Sequence, residues 1–260
     1  MITVIAAVDE EVSDLLSNHG FRLEETKSAR LPYVRRSSSV AEVTVVVSGI
    51  GRAAAKEATR AAIETLRPRL LISTGFAGAL DPALATGDLL VFDEIVASGG
   101  TEDHPAAMLV SEAQLRADLL SSLHGSGRRA KAATCVSVPR LVVTAAAKKG
   151  LREQLNAHAA DMESYWVANE AARAGIRSMA VRAVLDGADQ DLPSLVGRVT
   201  ATNRPRWLAA GLHLAVHPRE TRTAFRLAGQ AAIARKAISA AVLAVASIES
   251  AALAAVGESF

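Results

Sequence analysis

Residues 161–189, DMESYWVANEAARAGIRSMAVRAVLDGAD, set carboxylates at the ends of an otherwise greasy helix and strand. Asp161 and Glu163 open the stretch, Asp186 and Asp189 close it, and Arg182 sits inside the apolar run SMAVRAVL. A lone charge in such a run is too costly to bury, so Arg182 must be paired or must open into a site. One account needs no chemistry: Asp161 caps a helix, Glu163 lies in its first turn, and Arg182 pairs with Asp186 or Glu163. The other account is acid–base chemistry, for which carboxylates around an arginine are suited. Further groups of unusual residues favour it: DEE (Asp9 to Glu11), SGIGR (Ser48 to Arg52) and STGFAGAL (Ser73 to Leu80). Together they exceed what one structural ion pair requires.

Something must bring these groups together. Short β-branched runs (MITVIAAV, VTVVVSG, RLLISTG, DLLVFDEIVA and SMAVRAVL) alternate with longer alanine-rich segments of helical spacing. Apolar strands separated by helices imply an α/β fold, with a central, mostly parallel, twisted sheet flanked by helices. GGTEDHPAA (Gly99 to Ala107) and HGSGRRAK (His124 to Lys131) read as loops. No repeat or long linker divides the chain, so residues 1–260 read as a single domain with a helical segment over 205–260. In such sheets ligands bind beyond the carboxyl ends of the strands, where the polar groups lie.

The glycines admit specific readings. SGIGRAAA lets backbone N–H groups approach an anion or a hydroxyl-rich ligand at a helix start. It also spells G-x-G-x-x-A, but the next strand ends in Ser73, Thr74 and Gly75 rather than the acidic residue a dinucleotide ribose needs. STGFAGAL reads as a second glycine-bearing turn after a strand, either lining a ligand or merely turning.

Composition sets the frame. A chain of 260 residues with 50% hydrophobic content buries a full core. A net charge of +2 with interspersed signs, and no arginine stripe with interleaved aromatics, argue against a nucleic-acid partner. Cys135 is the only cysteine, which excludes an internal disulfide and suits a reducing compartment. The opening MITVIAAV reads as a strand rather than a leader, so the expected location is cytoplasmic. Ala237 to Val256 carries one charge, Glu249. It reads as a helix packed on the sheet, with peripheral membrane contact as the minority reading.

The motifs AAVDEEV, SGIGRAAA, TGFAGAL, ATGDLLV, DMES and VRAVLDGAD, in this order, resemble the purine nucleoside phosphorylase and nucleosidase superfamily. The resemblance covers about the first 190 residues and is nearest to methylthioadenosine/S-adenosylhomocysteine nucleosidases. LVVTAAAKKGLREQL, DMES and HPRETRTAFRLAGQAAIARKAI look more like the hopanoid-associated phosphorylases, whose substrate is an adenosyl group on a polycyclic lipid. The resemblance implies cleavage of an N-glycosidic bond with no metal or organic cofactor, and a homodimer or larger oligomer. It implies that Asp186 protonates N7 of a leaving purine, adenine by analogy. Glu163 would hold the ribose hydroxyls over Met162, Glu11 would activate water with help from Arg182, and Gly75, Phe76 and Ala77 would line the pocket.

One departure matters. The family pattern has serine where this chain has Phe76, at a position that helps hold phosphate or water. Glu11 tilts the expectation toward hydrolysis, while Arg52 beside the glycine turn would suit phosphate as co-substrate. Phosphorolytic cleavage to a ribose 1-phosphate is thus the alternative, and a nucleoside-binding protein without turnover is the rival of a different class. Elsewhere, His213 and His217 lack the glutamate of the zinc-protease pattern, and His104 sits in an expected loop. His19, His124 and His158 show no constellation, Trp166 reads as helix packing, and Cys135 as a small buried residue.

Overall fold

In the computed structural model, residues 1–37, 43–98, 107–109, 112–192 and 218–257 are described. His104, His213 and His217 lie outside them, as do most of the expected loop at 99–107 and residues 205–217 of the expected helical segment.

The chain runs β1 (Ile2–Ala6), α1 (Asp9–Asn18), β2 (Phe21–Ser28), β3 (Leu31–Ser37), β4 (Val43–Val47), α2 (Arg52–Leu66) and β5 (Leu70–Ala79). It continues with β6 (Leu89–Ala97), β7 (Ala107–Leu109), α3 (Ala113–Gly125), β8 (Ala130–Ser137) and α4 (Ala145–Leu155). β9 (Ala159–Asp161), α5 (Ser164–Arg173), β10 (Arg177–Asp186) and α6 (Pro218–Gly257) complete it.

The expected α/β architecture is present, with a mixed sheet. β4, β1, β5 and β10 run parallel in that order, and β6, β8 and β9 form a second parallel group. Antiparallel pairs β10–β6 and β9–β5 join the two groups, so β5, β10, β6, β8 and β9 close into a ring. The β-branched strands are buried on both faces, as the continuous apolar runs require. Ile5 and Leu71 face a core with α2 and α5, whereas Val4, Leu70 and Ile72 face one with α1, α3 and α6.

Two local readings change. The stretch 73–80 is no turn: β5 runs through it to Ala79, paired along its length with β10. Of 124–131, the ends belong to α3 and β8, leaving only 126–129 as a connection.

α6 is alanine-rich, and alanine gives the best intrinsic helix propensity. By length and composition, Phe225–Ala255 is apolar enough to cross a membrane. Its placement is that of a core helix, with Ala234, Ile238, Ala241, Val242 and Val245 buried against the α1–α3 side of the sheet. The single acidic residue of the apolar run, Glu249, is buried and bonded to Arg177 at 3.0 Å and Arg69 at 3.4 Å, at the starts of β10 and β5.

Candidate active site

β5 holds the key to the site. On one edge it pairs with β1 up to Ser73 and with β9 from Gly78 onward, while β10 occupies the other edge. The intervening residues on the first edge have no strand partner, and the side chain of Glu11 fills that gap. Glu11 lies in the first turn of α1; its Oε1 accepts the Phe76 N–H at 2.9 Å, and Oε2 accepts those of Ala7 at 2.9 Å and Val8 at 3.2 Å.

Gly75 makes this approach possible. Its φ is +146°, and a Cβ there would lie 2.4 Å from Glu11 Oε1 and 2.7 Å from Arg182 Nη1. Those distances forbid any side chain unless the carboxylate and guanidinium withdraw. The glycine is required by crowding and by conformation together.

Arg182 is 1% exposed. Its Nε and Nη2 donate to Asp161 Oδ2 at 2.9 and 2.7 Å, and Nη2 also donates to Ser73 Oγ at 3.2 Å. Asp161 is in turn held by Ser137 Oγ and by the Ser164 N–H at 2.9 Å. The ion pair anticipated with Asp186 or Glu163 is therefore made chiefly with Asp161; Glu163 Oε2 stands 3.8 Å from Nη2, and Asp186 pairs elsewhere. Asp161 bonds the first N–H of α5 from three residues away, and Glu163, not Asp161, occupies the N-cap position.

One cation thus faces several buried carboxyls, and it satisfies them unequally. The Arg182 charge and hydrogen bonds outweigh burial at Asp161 and hold its carboxyl below the usual range. At Glu163, burial dominates and the carboxyl is pushed up to about 8, although Arg182 and a 2.8 Å bond from the Gly51 N–H oppose this. Burial likewise raises Glu11 against the pull of Arg182 and its backbone donors. Arg182 Nη1 is buried and, among the described residues, has no hydrogen-bond partner. An orphaned guanidinium donor beside a carboxyl is a place for a ligand atom.

Asp186 ends β10, where a bulge shifts the register against β5 and sets its carboxyl next to Gly78. Burial raises its pKa, as acid chemistry would need. The flanking group is Lys148 of α4, 1% exposed and ion-paired with Asp186 Oδ2, which pulls the pKa the other way. Nothing in AAAKKGLREQL marks which lysine turns inward; Lys149 beside it is 77% exposed.

Glu11, Phe76, Ala77, Met162, Glu163 and Asp186 line one cavity of about 180 Å³, with apolar walls from Ile50, Leu141, Leu192 and Leu227. Gly75 and Arg182 lie behind the Glu11 wall. Arg52 does not join them: its guanidinium lies 4.3 Å above the Trp166 ring, in a surface hollow shared with Arg30, Lys56 and Arg60. In the SGIGR turn the Gly51 N–H is engaged by Glu163. That surface hollow, of about 650 Å³, and another of about 680 Å³ beside Arg152 and Asp189 are larger than the Glu11–Asp186 cavity. Neither gathers buried carboxyls around a cation, so chemistry rather than size selects the site. Cys135 is buried with its thiol 3.6 Å from Asp161 Oδ1, and burial pushes that thiol far up. Among the described residues no cluster of potential metal ligands exists.

A mixed α/β sheet with carboxyls converging at strand ends defines the class, and sequence comparison gives the family. The profile of the Phosphorylase superfamily matches residues 1–210, and the chain belongs to that superfamily. A 5′-methylthioadenosine/S-adenosylhomocysteine nucleosidase of Staphylococcus haemolyticus is 38% identical over 96 residues, which span 37% of this chain and 42% of the relative. The match therefore covers about two fifths of that protein's length. Among solved structures, a Neisseria meningitidis nucleosidase of the same name, in complex with methylthio-immucillin-A, superposes with TM-score 0.72 at 19% identity, covering 94% of this chain and 97% of the other. Futalosine hydrolase of Helicobacter pylori gives 0.70 at 20%, covering 93% and 96%. These two likenesses establish the fold.

Proposed function

We propose that the protein hydrolyses the N-glycosidic bond of a purine nucleoside and releases the free base, adenine. The observation that carries this is that Asp186, Glu11 and Glu163 line one cavity. Cleavage builds positive charge on the sugar while the base departs with the bonding electrons. Protonated Asp186 gives its proton to purine N7, so the base leaves neutral. Glu163 holds the ribose hydroxyls above Met162. Water held by Glu11, which Arg182 backs, attacks the anomeric carbon, and Glu11 takes its proton. No step needs a metal or an organic cofactor.

Water is favoured over phosphate because Glu11, Glu163 and Asp161 already surround the buried Arg182 guanidinium. A dianion entering there would meet carboxyls on several sides. Arg52, the residue that argued for phosphate, points to the surface. The orphaned Arg182 Nη1 is the observation that keeps phosphorolysis as a second reading. The apolar wall formed by Phe76, Leu141, Leu192 and Leu227 suits a large apolar 5′-substituent, as the resemblance to hopanoid-associated enzymes suggests. A homodimer or larger homo-oligomer in the cytoplasm completes this reading. The test is release of adenine from adenosine and methylthioadenosine with and without phosphate. Phosphate-independent release supports hydrolysis, and a strict phosphate requirement overturns it.

A further inference from the structure

Lys148 is one of the largest fully buried side chains, and its ammonium donates to Asp186 Oδ2, to the Gly187 carbonyl at 2.7 Å and to the Gln190 carbonyl at 2.8 Å. Each of its protons has an acceptor. Two of these acceptors belong to the turn that follows β10, which suggests a purely structural staple. That turn is secured without Lys148, however. Gln190 bonds Gln230 of α6 at 3.1 and 3.0 Å, Asp191 Oδ1 accepts the Ala145 N–H at 2.7 Å, and the Leu192 N–H reaches the Val143 carbonyl at 2.8 Å. What Lys148 adds beyond the turn is its contact with the Asp186 carboxyl, which lies beside Gly78.

We propose that Lys148 is the positioning residue for the acid of this site: it fixes Asp186 Oδ2 and thereby turns Oδ1, with the transferable proton, toward the purine. The proposal rests on the nucleosidase reading and deepens it. A carboxyl free to rotate would present its proton to N7 only part of the time, and misplacement of a reacting group costs about 100-fold in rate. The same contact sets the range of pH in which Asp186 is an acid. Burial raises its pKa and Lys148 lowers it. The other charged groups around the cavity are Glu11, Asp161 and Glu163, with Arg182 behind them and Asp189 on the adjoining turn. None of these gives Asp186 a cation in contact. Since the carboxyl acts protonated, activity falls as pH rises through its pKa, and without Lys148 that fall moves to higher pH.

The test compares Lys148→Met and Lys148→Arg with the unmodified protein, following adenine release across pH. In Lys148→Met, kcat drops about 100-fold with little change in KM, and the falling limb moves up in pH. In Lys148→Arg, which keeps the charge, the limb stays. A staple with no effect on the acid would lower thermal stability and leave the limb and kcat in place, and that result overturns the proposal. A second arm needs no turnover: the ¹³C resonance of the Asp186 carboxyl, assigned by its absence in Asp186→Asn, titrates at higher pH in Lys148→Met. An unmoved midpoint overturns the proposal. If the unmodified protein releases no base, the nucleosidase reading falls while this arm still decides the role of Lys148. If Lys148→Met does not fold, the Lys148 ammonium ¹⁵N resonance is read in Asp186→Asn, where it shifts; an unchanged resonance contradicts the contact.

Discussion

Arg182 governs the residues around it because it is one charge shared among several carboxyls. Its shortest bonds go to Asp161, so that carboxyl stays ionised while Glu163 and Glu11 drift toward protonation. Asp161→Asn takes from a buried guanidinium its chief counter-ion and should cost about 3–5 kcal/mol in chemical denaturation, the range for breaking a buried pair from one side. Gly75→Ala forces a Cβ against Glu11 and Arg182. Its expected cost of about 1–3 kcal/mol reflects the unusual φ, and adenine release should fall with it. Glu163 makes a pH prediction. Its pKa rises from 4.5 to about 8 on folding, so the folded chain holds a proton that the unfolded chain loses in that window. The stability from this proton is full below 4.5 and is lost as pH rises through about 8. Glu163→Gln removes the dependence, so its Tm relative to the unmodified protein should climb across this window; a constant difference would contradict the assignment.

At the scale of elements, the site depends on where strands stop. β1 ends before Thr74 and β9 joins at Gly78, and the first turn of α1 plugs the space between. The five apolar runs visible in the sequence all became strands, because continuous β-branched segments carry their own signal. The β2–β3 hairpin carried none: FRLEETKS is polar and largely exposed, so no alternation betrays it. β8, AKAATCVS, is alanine-rich and resembles a helix in composition. Gly75 and Gly78 showed as glycines but not as strand residues, since a glycine pair after an apolar run looks like a turn. Glu11, Glu163 and Asp186 were legible because carboxyls beside apolar runs are conspicuous. Lys148 was not, because period alone does not single it out among the lysines of α4. Arg52 misled, since its place beside a glycine turn says nothing of which way it leaves the helix. α6 is held by burial and by Glu249. Glu249→Ala removes its bonds to Arg69 and Arg177, both partly exposed, and should cost about 1–3 kcal/mol, read by thermal denaturation.

For the molecule as a whole, the closed ring of β5, β10, β6, β8 and β9 puts the ends of β5, β9 and β10 around one cavity, with α1, α4 and α6 supplying Glu11, Lys148 and Leu227 to its surroundings. Superfamily membership accounts for that architecture, and the crowd of carboxyls around a single arginine argues for water as the nucleophile. The central claim is that Asp186 is the acid that releases a purine without phosphate. The most direct measurement is adenine release from methylthioadenosine in phosphate-free buffer, comparing the unmodified protein with Asp186→Asn. Release by the former, reduced about 100- to 10,000-fold in the variant, is the predicted result. Release that appears only when phosphate is added, or that survives in Asp186→Asn, would contradict it.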